Sequence, residues 1–106
     1  MSVSSRRQKL EAMLEADPAD QMLRYMLALE LEKTSEHDRS LELLQGLMTA
    51  ETPYVPAFLM AGQQLTKIGR HDEARQCFEA GIRNAQQQGN AHAAGEMQQF
   101  LLNLPG

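Results

Sequence analysis

Residues 27–44 read Leu27-Ala28-Leu29-Glu30-Leu31-Glu32-Lys33-Thr34-Ser35-Glu36-His37-Asp38-Arg39-Ser40-Leu41-Glu42-Leu43-Leu44, and residues 61–78 read Ala61-Gly62-Gln63-Gln64-Leu65-Thr66-Lys67-Ile68-Gly69-Arg70-His71-Asp72-Glu73-Ala74-Arg75-Gln76-Cys77-Phe78. With an offset of 34 residues the second stretch matches the first. Leu31 falls on Leu65, Lys33 on Lys67, His37 on His71 and Asp38 on Asp72. Small residues fall on small ones, Ala28 on Gly62 and Ser40 on Ala74. Leu44 falls on Phe78 and Met26 on Met60. A fixed period of this length is the signature of a repeat architecture.

The match runs without a gap from Gln21 to about Gln88, which defines repeats over 21–54 and 55–88. Within the first, Leu23, Leu27 and Leu31, then Leu41, Leu44, Leu47 and Met48, recur at helical spacing. Within the second, Phe58, Ala61, Leu65 and Ile68, then Ala74, Phe78 and Ile82, do the same. Each repeat therefore reads as two helices. The breaks are Thr34-Ser35-Glu36-His37 and Ile68-Gly69-Arg70-His71, and Gly69 is suited to a left-handed helix stop. Asp38 and Asp72 suit a helix start, by capping or by charge against the dipole. Pro56 fits a first helical turn, where a missing N–H is harmless. Ala28, Gly62, Ser40 and Ala74 provide room where paired helices cross. Gly62 and Gly81 could instead be merely tolerated, at about 1 kcal/mol each. The recurrence of Gly62 as Ala28 favours a packing role.

Leu-Ala at 27–28, Ala-Gly at 61–62, the paired Leu31 and Leu65, and the run Gly69-Arg70-His71-Asp72-Glu73-Ala74-Arg75 resemble the tetratricopeptide repeat family. The first repeat departs from the pattern at Arg24, Ser40 and Thr52. The flanks extend the resemblance. Residues 3–17, with Leu10, Met13 and Leu14, resemble the second helix of a truncated repeat. Residues 90–104, with Ala93, Met97, Phe100, Leu101 and Leu104 on one stripe, resemble a polar-backed capping helix. The resemblance implies an all-α fold, a short right-handed superhelix of about six helices in a single domain over 1–106. It also implies a function in binding proteins.

Composition agrees with a helical globular domain. Hydrophobic residues make up 42% of 106, enough for one core, and Val and Ile are scarce. The net charge of −4 argues against a nucleic-acid partner. Up to Pro53 there are ten acids and six bases, and beyond it four of each. No stretch reaches membrane-spanning length. The lone Cys77 forms no internal disulfide, which points to a reducing compartment, the cytoplasm. Arg6-Arg7-Gln8-Lys9, set among Ser2, Ser4 and Ser5, reads as a mobile solvated tail.

In the resembling family the first helix of each pair lines the concave side. A face separate from the core stripe carries Met22, Tyr25 and Leu29 in the first repeat, and Pro56, Leu59 and Gln63 in the second. Lys33 and Lys67 sit near its ends, and Ala93 and Met97 continue it. These residues are the candidate contacts for a helix or peptide of a partner protein. Two alternatives remain. Leu29 and Leu59 could be core, covered by a neighbouring helix. The chain could also be a homodimer or a subunit of a larger assembly without a free groove. The Lys, Asn and Arg clamp with which some family members hold a C-terminal carboxylate has no counterpart on this face.

No catalytic residue, metal ligand or cofactor is expected. Cys77 follows His71 by six residues, roughly 240° around a helix, so the two do not meet. Only Arg75 is near enough in sequence to lower the thiol's pKa. No His, Cys or carboxylate spacing matches a zinc site. The recurring His37 and His71 read as a repeated structural ring at the helix corner. The glycines form no phosphate-binding cluster.

Overall fold

The computed structural model describes residues 5–105. Six helices follow in order: α1 Ser5–Ala16, α2 Gln21–Lys33, α3 His37–Met48, α4 Val55–Lys67, α5 His71–Gln87 and α6 Ala91–Leu102. The described residues contain no strand. The fold is all-α, and α2–α3 and α4–α5 are the helix pairs expected from the period. Two compact units emerge, one ending at Leu47 and one beginning at Met48.

Three helix ends close by the same device. In each, one residue takes a left-handed backbone: Ser35 at φ +64°, Gly69 at +81° and Gly89 at +74°. The next amide reaches back to a carbonyl five residues earlier, Glu36 to Leu31 at 2.9 Å, Arg70 to Leu65 at 2.9 Å and Asn90 to Ala85 at 2.7 Å. This Schellman closure satisfies carbonyls that the helix end would leave bare. Asp20 caps α2 by accepting from the Leu23 amide at 2.9 Å, and Asn90 caps α6 by accepting from Ala93 at 3.0 Å. Asp38 and Asp72 lie inside the first turns of α3 and α5. They act there through their charge on the dipole. The residue before α5, Arg70, makes no side-chain cap.

The first unit buries Leu10 of α1 against Leu27 and Leu31 of α2, with Leu14, Leu23, Met26 and Leu43 packed around them. Ala28 and Ser40, both fully buried, mark the approach of α2 and α3. The Ser40 hydroxyl donates to the Ala28 carbonyl at 2.7 Å, so the departure from Ala keeps the small size and adds a tie.

In the second unit, Gly62 and Gly81 are packing positions. A Cβ on Gly62 would come within 2.3 Å of the Phe78 ring, and one on Gly81 would meet the Met97 sulfur and lie 2.6 Å from the Phe58 Cβ. The missing side chains let α5 sit close to α4 and α6 at once. Phe78, fully buried, stacks on Phe100 of α6 with ring centroids 5.7 Å apart.

Four expectations need correction. Residues 6–9 are not a mobile tail. They lie in α1, with Arg6 2.8 Å from Glu30 and Arg7 paired with Glu36. Those partners are more than twenty residues away, so local composition gave no sign of them. Val3, Ser2 and Ser4 lie outside the described residues. The last helix ends at Leu102, short of Leu104, and its buried residues are Ala94 and Met97. Ala93 is only half-buried, because the docked face is centred a residue further on. His37 and His71 do not share one role. His37 Nδ1 lies 2.5 Å from Glu32 Oε1, but the residue one period after Glu32 is Thr66, which offers no carboxylate.

Candidate functional site

The second unit holds a pocket of about 180 Å³ between α4 and α6. Its apolar wall is Val55, Pro56 and Leu59 from α4, with Ala93 and Met97 from α6. Its polar rim is Asn90, His92 and Glu96. Pro56 stands in the first turn of α4, where no intrahelical partner for its nitrogen exists. Leu59 follows three residues later on the same face. On α6, Ala93 and Met97 are four apart and Glu96 flanks them. The Asn90 cap fixes the start of that helix.

Burial grades the pocket. Val55 and Met97 are buried and form its floor, Leu59 and Ala93 are half-buried, and Pro56 and His92 are exposed. At the rim, His92 Nε2 lies 3.6 Å from Glu96 Oε1. Leu59 is thus neither sealed in the core nor fully exposed. Of the three second-repeat candidates, the pocket takes in Pro56 and Leu59 and leaves out Gln63, which is half-buried further along α4. Met22, Tyr25 and Leu29 lie on α2 in the first unit. Met22 is 60% exposed, and Tyr25 and Leu29 are half-buried.

Ala93 and Met97 were legible from the sequence as an extension of the face. Val55, Asn90, His92 and Glu96 were not singled out. A four-residue spacing of His92 and Glu96 and an Asn after Gly89 were the available signals.

Burial pushes the Cys77 thiol up and nearby Glu73 pushes it further, so it stays protonated at neutral pH. Asp72 pairs with Arg75 at 3.2 Å. Among the described residues, no group of three or more His, Cys, Asp or Glu could hold a metal ion. No helix of the described residues is long and apolar enough to cross a membrane.

Recurring helical hairpins, a shared turn device and small residues at each crossing define a helix–turn–helix repeat protein. A solution structure of a tetratricopeptide repeat domain protein from Salinibacter ruber is 30% identical, with a TM-score of 0.76 over 81% of this chain and 87% of that one. A crystal structure of a Salinibacter ruber tetratricopeptide repeat domain protein is 29% identical, with a TM-score of 0.72 over 78% and 92%. A solution structure of a Bordetella parapertussis protein is 28% identical, with a TM-score of 0.76 over 92% and 85%. In sequence, Protein DIA2 of Eremothecium gossypii is 30% identical over 83 residues, 74% of this chain. The chain spans only 12% of the length of that relative. No family model matches the chain. The chain belongs to the tetratricopeptide repeat family, whose fold serves generally as a protein-interaction scaffold.

Proposed function

We propose that the chain is a protein-interaction module that holds a helix or extended peptide of a partner against the first helices of its repeats. The observation that carries this reading is the apolar pocket between α4 and α6. It keeps Leu59 half-buried and Pro56 exposed in a unit whose Phe78 and Met97 are fully buried. A pocket of this size suits one apolar anchor side chain, and the Glu96 and His92 rim gives it a polar edge. The proposed contacts are Met22, Tyr25 and Leu29 on α2, and Pro56, Leu59 and Gln63 on α4. The partner is a protein or peptide, with no part for nucleic acid, membrane, cofactor or catalysis. A protonated, half-buried thiol suits a reducing compartment, in keeping with a cytoplasmic protein.

The test is Leu29→Lys combined with Leu59→Lys. Partner capture should fail while helicity and melting temperature stay close to wild type. Collapse of the fold would make those leucines core and remove them from the site.

A second reading is self-association. It rests on Leu102 at 78% exposed and Met22 at 60% exposed. Light scattering during size exclusion separates the two, because a stable dimer would favour self-association and a monomer the partner-binding module.

A further inference from the structure

We propose that α1 is a salt-sensitive latch, helical only while docked, which undocks as a unit and uncovers the leucine face of α2 and α3. The proposal is independent of the α4–α6 pocket.

By itself α1 is a poor helix. It has 12 residues, at the lower limit for even favourable isolated helices. Its charges oppose its dipole. Arg6 and Arg7 occupy the first turn, where acids belong, and Glu15 lies in the last turn, where bases belong. One side chain, Leu10, is buried, and Met13 is 52% exposed. With Leu14 half-buried beside it, this apolar contact cannot offset the ordering of a dozen residues.

What the arginines lose locally they recover across the interface. Arg6 Nε lies 2.8 Å from a Glu30 carboxylate that is only 8% exposed. Arg7, itself 14% exposed, pairs with Glu36 and lies 3.4 Å from Glu11. Both distant partners belong to the α2–α3 hairpin, so docking and helix formation are coupled through charge. The hairpin does not depend on α1 in the same way. Asp20 caps α2 from its own side, the Schellman turn closes it, and Ser40 ties α3 to Ala28. Undocking would therefore expose Leu23, Met26, Leu27, Leu31 and Leu43 on a hairpin that stays folded.

Hydrogen exchange of the full chain by mass spectrometry tests this, in about 10 mM and about 1 M sodium chloride, where the screening length falls from about 30 Å to about 3 Å. Amides of residues 9–16 should lose protection by about tenfold or more at high salt, and those of α4 and α5 should change by less than about twofold. Arg7→Gln should expose α1 at low salt and cut its salt response to the part carried by the remaining Arg6–Glu30 pair. Leu10→Ala should lower α1 protection yet keep the salt response, because the ion pairs remain. The latch is overturned if α1 exchanges in step with α2 and α3 at both salt concentrations. It is overturned equally if Arg7→Gln keeps wild-type protection, or if Leu10→Ala loses the salt dependence.

Discussion

Ser35 holds a left-handed backbone at the turn where Gly69 stands one period later. An L side chain in that region costs roughly 1–2 kcal/mol, and glycine does not bear the cost. Ser35→Gly should therefore raise stability by about 1 kcal/mol, measured by urea denaturation. Gly69→Ala should lower it by about the same amount. A Cβ at Gly69 would meet nothing within 4 Å, so any loss there comes from the backbone alone. Ser40 is the opposite case, a departure from Ala that fits. Its hydroxyl donates to the Ala28 carbonyl where α2 and α3 meet. Replacing it by Ala keeps the packing and forfeits a buried hydrogen bond.

At the scale of elements, approach distance decides which glycines matter. At Gly81 a new Cβ would lie 2.6 Å from the Phe58 Cβ, which cannot swing away because it is fixed to the α4 backbone. Gly81→Ala should destabilise by about 1–2 kcal/mol, since overpacking outweighs the helix-propensity gain of about 1 kcal/mol. Gly95, in the middle of α6, has nothing within 4 Å of the same position. Gly95→Ala should therefore gain up to about 1 kcal/mol. Equal losses at both sites in a thermal melt would show that helix crossing distance plays no part. The sequence hinted at this difference only for Gly62, through its counterpart Ala28. Gly81 falls on Leu47 one period earlier, so periodicity gave no such hint.

For the whole molecule, stability against acid follows from paired carboxylates. Desolvation acts to raise the Glu36 pKa, but the Thr34 hydroxyl and the Arg7 and Arg39 charges prevail and hold it below its ordinary value. Arg70, 2.7 Å away, does the same for Glu73 against a smaller desolvation effect. Both groups have folded-state values below the unfolded one of 4.5. Their contribution is complete above that pH and fades as pH falls through the lower folded values. The urea midpoint should therefore drop as pH falls below about 5, and Glu36→Gln with Glu73→Gln should flatten that limb. An unchanged slope in the double variant would assign the acid limb to other groups. The all-α class, the two helix pairs and their turns were legible before any coordinates. Each follows from helical spacing, turn chemistry and a 34-residue echo, which are local properties of the chain. The folded chain alone reveals which carboxylates Arg6 and Arg7 meet, that Gly81 is a contact, and that Pro56 and Leu59 share a pocket with His92 and Glu96. Those facts join residues sixteen to forty positions apart, and no local pattern encodes which distant side chain a given one will meet.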